Sequence, residues 1–386
     1  NHVHELQVFF PRLLYETVVR PTLFVYPRAS TAFTWYCDNP RPQKKMDIHL
    51  AVLPTQHHVL SDKDQNDWLD FITFCFHAKG TPRSHFARQL NNEPIHTILV
   101  ARLASPTNTV SIVSTVRIFH RTIVPNIRTA GIGAVCTHPS YRKQGLSSKL
   151  LDFARQVIAD MNAFDCSLLH CAPRFQSFYH QRGWTNTLLV ETLVVDMVPT
   201  IHDNDTGDYI VQPYAIATDS HLPQLQQLHQ TFSGGKIGAD IRPKAFSSAL
   251  MSSYQASIFV ATTKAVPETV VGYCSLQYHV RDGCFVWTLC DLGVEKNVPH
   301  DVIRRLVAHA MHVQLEQMEQ MDTHTHQTVE MPSCCKFLGT EDQHVGHKID
   351  HGWLYYDVLP GSSNSLQKQM ESTTIATATR WKIDGF

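Results

Sequence analysis

The segment from Ala130 to Met161 constrains the fold more than any other part of the chain. Ala130–Thr137 is a run of small and β-branched residues and reads as a strand. A loop containing Gly145 follows. From Leu146 to Met161, the positions Leu146, Leu150, Leu151, Phe153, Ala154, Val157 and Ile158 form one apolar stripe at helical spacing. A strand therefore delivers the chain into a glycine turn, and a helix starts at once. The first turn of a helix has unpaired N–H groups and a partial positive charge. Glycine lets the backbone come close to a phosphate. Arg142 and Lys143 add charge, and Ser147 and Ser148 add hydroxyls. The result is a main-chain anion cradle into which a pyrophosphate fits. On these residues alone, an ordinary strand–helix turn with a solvated basic patch stands beside that reading. A nucleotide P-loop does not, because no Gly-Lys-Ser/Thr follows.

Around this segment the pattern is mixed. Ile48–Leu53 reads as a strand, Lys63–His77 as a helix with Trp68, Leu69, Phe71, Ile72 and Phe76 on one face, and Gly80-Thr81-Pro82 as the break before a second helix through Gln89. His96–Leu103 and Val110–Ile123 are β-rich, with a turn at 104–108. Cys166–His170 is a strand, Phe175–Arg182 a short helix, and Leu188–Met197 closes the unit with strands. A second unit repeats this order. It has a helix capped by Thr218-Asp219-Ser220, strands at Ile258–Thr262, Thr269–Val280 and Cys284–Val294, and a helix from Pro299 to Met321. The expected division is an extension at 1–45, a first domain at 46–200, a linker at 201–208, a second domain at 209–360 and a polar tail at 361–386.

Composition narrows the function classes. With 43% hydrophobic and 17% charged residues and a formal net charge of −1, the chain has no basic stripe for nucleic acid and no polybasic membrane patch. The 24 histidines read as scattered surface residues. The ten cysteines show no C-x-x-C pair, so free buried thiols in a cytoplasmic protein are expected. His324, His326, His344, His347 and the pair Cys334-Cys335 lack a zinc ligand spacing, and no metal is expected. Gly234-Gly235-Lys236 reads as a turn.

Arg142-x-x-Gly145-x-Ser147, preceded by a strand and Pro139, resembles the acetyl-CoA signature of the GCN5-related N-acetyltransferases (GNAT), with Ser147 where the family has Gly or Ala. Phe178-Tyr179-His180-Gln181-Arg182-Gly183-Trp184 looks like the family's Phe-Tyr-x-x-x-Gly-aromatic segment. The resemblance covers about Ile48–Pro199. It implies an acyl-CoA N-acyltransferase fold of α/β (α+β) type, a mixed sheet flanked by helices. The second unit is then a degenerate acyltransferase-like domain, since Gly293–Asp301 lacks the cofactor spacing and carries Glu295 and Asp301. Tandem arrangements of this kind resemble acetyltransferases of the enhanced-intracellular-survival type, and Ser167–Trp184 looks like fungal lysine N-acetyltransferases.

The resemblance also implies roles. Acetyl-CoA is the cosubstrate, held by Arg142, Lys143, Gln144, Gly145, Leu146, Ser147 and Ser148. Backbone N–H groups of Val135, Cys136 and Thr137 bind pantetheine and polarise the thioester carbonyl. Tyr179 protonates the departing thiolate. The base that neutralises the attacking amine is open among His120, His138, Glu191 and a water relay. Ala172 stands where the family often has Asn. The acceptor is a small-molecule amine such as lysine or a polyamine. A protein lysine or N-terminus, or no acceptor at all in a CoA-binding sensor, are the alternatives. The second unit shapes the amine site or a homo-oligomer.

Overall fold

The computed structural model describes residues 47–358 except 54, 57–58, 78–80, 93–95, 104–111, 187–189, 198–207, 215–220, 237–238, 243–256, 282–283, 318–326, 333–334, 336–337, 339–343 and 351–352. The expected extension, the polar tail and all of the linker but Asp208 lie outside the described residues, as do the turn at 104–108 and the side chains of Glu191, His324, His326, Cys334, His344 and His347.

The first sheet is assembled from β1 (Ile48–Val52), β4 (His96–Leu103), β5 (Ile112–Ile123), β6 (Ile127–Thr137), β7 (Cys166–His170), β8 (Thr185–Asn186) and β16 (Trp353–Asp357) in the order β1-β4-β5-β6-β7-β16-β8. β2 (Thr55–Gln56) and β3 (Val59–Leu60) form a small separate ladder. The central strands are apolar on both faces, as strands buried from both sides must be. In β4, Ile98 and Val100 join Trp68, Ile72 and Phe86 from α1 (Asp62–Phe76) and α2 (Arg83–Asn92). Leu99 and Ala101 join Leu150, Leu151 and Ala154 of α3 (Leu146–Met161) on the opposite face. The alternation in the sequence thus becomes a three-layer sandwich, with α1 and α2 on one side and α3 on the other.

The second sheet runs β10-β11-β12-β13-β14-β9-β15, from β9 (Val190–Met197), β10 (Tyr209–Pro213), β11 (Ile258–Thr263), β12 (Val270–Arg281), β13 (Cys284–Val294), β14 (Gln327–Pro332) and β15 (His344–Asp350). α5 (Leu222–Ser233) and α6 (His300–Gln317) cover it, and the core of α6 is built on Ile303, Leu306, Val307, Ala310 and Met311.

The two sheets exchange strands. Val190–Met197, expected to close the first unit, instead pairs with β14 and β15 in the second sheet. In return β16, from the end of the described chain, inserts between β7 and β8 of the first sheet. Periodicity cannot reveal such an exchange, because either sheet satisfies the same alternation. A second seam runs through 239–242. Val124 N donates to Ala239 O at 2.8 Å, Ile241 N donates to Thr122 O at 2.7 Å, and Arg121 meets Asp240 at 3.4 Å with both side chains buried. No helix among the described residues is long and apolar enough to cross a membrane.

Candidate active site

The site begins where β6 leaves its neighbours. β6 and β7 pair in parallel from Thr129↔Cys166 to Ile132↔Leu169 and then part. On the other side, the β5–β6 register shifts between Thr115↔Cys136 and Arg117↔Gly133, with Ala134 at φ 50°. This is a β-bulge, which bends the strand and re-aims its residues. Gly133–Thr137 consequently run on beside a gap rather than beside a strand. The backbone groups of Val135, Cys136 and Thr137 that point away from β5 face that gap. This is the arrangement an extended amide-rich ligand needs to pair with a strand edge.

The chain then makes a short 3-10 turn, Pro139–Tyr141, and reaches α3 through Arg142–Gly145. Gly145 is the N-cap residue in the left-handed region at φ 75°, and Lys143 precedes it at φ 61°. A side chain built on Gly145 would point into open space, with no heavy atom within 4 Å. The turn is therefore kept bare in front of the helix N-terminus. A cleft of about 280 Å³ lies there, lined by Thr137, Tyr141, Arg142, Lys143, Gly145, Leu146, Ser147, Ser148 and Phe178. Among these residues are most of the cofactor positions read from the sequence, together with Phe178 of the tyrosine segment and Tyr141, an aromatic wall to which the sequence reading gave no role.

The hydroxyls in this cleft are not equivalent. Ser114 Oγ donates to Cys136 O at 2.9 Å and lies 2.8 Å from Thr137 Oγ1, which lies 2.6 Å from Ser147 Oγ. A carbonyl only accepts, so it sets the direction of the whole row. Ser114 spends its hydrogen on Cys136, Thr137 donates to Ser114, and Ser147 donates to Thr137. Ser147 therefore has lone pairs but no hydrogen left for an anion. Ser148 has the opposite arrangement, because its oxygen accepts from Arg182 Nη2.

The tyrosine segment forms a 3-10 turn, Pro173–Phe175, followed by α4 (Gln176–His180). Gly183 follows at φ 91°, where a side chain is strained and would touch the Tyr356 ring at 3.4 Å. Trp184 is fully buried, 5.8 Å from the Tyr356 ring. Tyr356 belongs to β16, so the far end of the chain helps to seat this segment. Tyr179 packs edge-on to Phe178 at 5.1 Å and to Trp184 at 6.4 Å. Burial pushes its phenol up to about 12, the nearby Cys171 adds to the rise, and Arg182 opposes it. The phenol is therefore protonated at neutral pH.

The base candidates part company. His138 caps the 3-10 turn, its Nδ1 accepting from Ser140 N at 3.3 Å, and its ring stacks on Phe74 at 4.8 Å. A neutral imidazole that accepts at Nδ1 carries its hydrogen on Nε2, which makes that atom a donor rather than a base. His120 pairs with Ala130 and contacts Thr97 Oγ1 at 3.1 Å. Ala130 lies seven residues before Thr137, roughly 23 Å along an extended strand. Glu191 lies in β9 of the second sheet, where its Cα partner is Ile349. Ala172 is the exposed N-cap residue of the turn before α4 and makes no side-chain cap.

Comparison with known proteins agrees with this geometry. The model of the acetyltransferase (GNAT) domain matches residues 57–187. Residues 57–187 are a GNAT acetyltransferase domain. The first sheet's parted strands, its bare glycine turn and α4 all fall within that span. No curated protein matches the chain in sequence. Solved structures with the same fold include a probable N-acyltransferase from Enterococcus faecalis V583, with TM-score 0.55 and 13% identity, covering 81% of this chain and 72% of that one. A GCN5-related N-acetyltransferase from Anabaena variabilis gives TM-score 0.54 and 13% identity over 81% and 73%. A tandem GNAT protein from the clavulanic acid biosynthesis pathway gives 0.50 and 13% over 81% and 100%. These matches span both sheets, and the fold is a tandem GNAT arrangement.

Proposed function

We infer that this GNAT protein is an N-acetyltransferase that moves acetyl from acetyl-CoA to a primary amine of a small molecule such as lysine or a polyamine. One observation carries the reading. Thr137 at the end of β6, the Gly145 turn and Phe178 of α4 line a single cleft, reached by β6 after it parts from β7. The residues present fit the cosubstrate. The turn has no Cβ to fill it, Arg142 and Lys143 lie exposed at its rim, and the gap beside Val135–Thr137 offers backbone hydrogen bonds. When bound, acetyl-CoA supplies the acyl thioester.

In this reading Arg142–Ser148 hold the pyrophosphate and Val135–Thr137 line the pantetheine arm. Backbone N–H groups beside the bulge orient the thioester carbonyl. Tyr179 Oη holds the proton that the departing sulfur takes. With His138 engaged as a cap, proton removal from the amine falls to Glu191 or to a water chain. The small-molecule acceptor is supported by the fold likeness, over 81% of this chain, to a tandem GNAT protein from the clavulanic acid biosynthesis pathway. The second half, 209–360, is read as a cofactor-free acyltransferase-like domain, and the protein as cytoplasmic.

Incubation with acetyl-CoA, a thiol reagent and a panel of amines tests the reading. Thiol release with free lysine or a polyamine but not with peptides is expected. Release with peptides alone would move the acceptor to protein, and tight CoA binding without turnover on any amine would make the chain a CoA sensor.

A further inference from the structure

Arg182 sits at a position that the sequence pattern leaves free, yet its guanidinium is engaged on three sides. Nη2 donates to Ser148 Oγ in the first turn of α3, and Nη1 donates to Phe178 O at 2.5 Å. Its Cζ lies 4.1 Å over the Phe178 ring, a cation–π distance. One side chain thus ties the cofactor cradle to the helix that carries Phe178 and Tyr179. A lysine can reach one of these partners, but it lacks the planar fork that reaches all of them.

We propose that Arg182 is a positioning residue that orients the Ser148 hydroxyl as the side-chain hydrogen-bond donor to the CoA pyrophosphate. This rests on the cofactor reading above. The proton count carries it. Ser147 gives its hydrogen to Thr137, and Thr137 gives its own to Ser114. Ser148 accepts from a permanently charged donor, so its own hydrogen must point elsewhere. Among the described residues that hydrogen has no acceptor, and Ser148 lines the cleft. A hydrogen bond from a guanidinium also polarises the hydroxyl and makes it a stronger donor. The same side chain links the α4 backbone at Phe178 to the first turn of α3.

The test is calorimetric binding of CoA and of pantetheine, which lacks the phosphates, to the full chain and to Ser148→Ala, Arg182→Met, Arg182→Lys and the Ser148→Ala/Arg182→Met double variant. Ser148→Ala and Arg182→Met should each weaken CoA roughly 10-fold, the scale of one lost hydrogen bond to a charged group. Pantetheine affinity should change less than about twofold, and the double variant should be no worse than the weaker single variant, because both remove one interaction. Arg182→Lys should recover part of the loss. Equal weakening of CoA and pantetheine, or additive losses in the double variant, would make Arg182 merely structural and overturn the proposal. Wild-type CoA affinity in Arg182→Met would overturn it too. A wild-type chain that binds pantetheine and CoA equally well would instead sink the pyrophosphate cradle itself, and the proposal with it.

Discussion

In the first half, β6 bulges at Ala134 and parts from β7 after Ile132, and its contact with α1 there is a pair of thiols. Cys75 and Cys136 share a hydrogen bond that lowers the Cys75 thiol, while that contact and burial push Cys136 well up. In the second half, β13 shifts register around Cys290 and parts from β14 after Thr288. Its contact with α5 at that point is a charge cluster. Asp291 is fully buried and takes Arg242 at 2.7 and 3.2 Å, Tyr273 Oη at 2.7 Å and His229 Nδ1 at 3.3 Å. A side chain on Gly293 would press on Tyr273 at 2.3 Å and on the His229 backbone at 2.9 Å. The same bulge and the same parting of strands therefore lead to an open cleft in one half and to packed protein in the other. The loops that follow differ in the same sense. Gly145 is bare and flanked by exposed Arg142 and Lys143, whereas α6 opens with Asp301, paired to Arg305 within the helix. A carboxylate at a helix N-terminus satisfies the positive end and repels a phosphate.

The comparison breaks most visibly at Asp291. Burial alone would raise its carboxyl, but Arg242 and His229 outweigh burial and hold it well below the usual carboxylate range. Asp291→Ala removes the carboxylate that faces the buried Arg242 guanidinium, and chemical denaturation should show a loss of about 3–5 kcal/mol. A carboxylate held below its unfolded value stabilises the fold fully above about pH 4, and that contribution is lost as pH falls towards the native value. Stability below pH 4 should consequently decline less steeply in Asp291→Ala than in wild type. Tyr179→Phe tests the other half and should lower kcat roughly 100-fold. Because the Tyr179 phenol is pushed up to about 12, the alkaline limb assigned to it should lie above pH 10 in wild type. A limb near pH 8 would point to a different acid. Gly183→Ala puts a Cβ at φ 91°, and thermal unfolding should report a loss of about 1–2 kcal/mol. Ser147→Ala, which removes a hydroxyl whose hydrogen is already used within the protein, should weaken CoA by less than Ser148→Ala does.

Much of this arrangement could be read before the structure. His96–Leu103, Leu146–Met161, Cys166–His170 and Cys284–Val294 have the bounds their apolar periodicity predicts. These elements bury one face or both within their own neighbourhood, so local pattern and tertiary environment agree. The strand, the Gly145 turn and the helix after it were legible for the same reason, since they are contiguous in sequence. Elements with distant partners were not legible. Tyr209–Pro213 and Trp353–Asp357 are five-residue strands, and β16 finds its partner β7 nearly the whole domain away. Arg182 was also missed. Its role depends on Ser148 lying in the next helix, which no spacing rule encodes. The capping role of His138 rests on one backbone contact two residues on, a signal that Ser140 and Pro139 carry only once the turn is seen.

Titration calorimetry with CoA, run on the wild-type chain and on Gly145→Glu, tests the contrast between the halves most directly. The open space in front of Gly145 leaves room for the side chain in the cradle, at a strain cost of about 1–2 kcal/mol for a side chain at φ 75°, so thermal unfolding is measured beside the binding. One CoA per chain in the wild type and none in a folded Gly145→Glu is the predicted result. Two CoA per chain, or undiminished binding in Gly145→Glu, would contradict it.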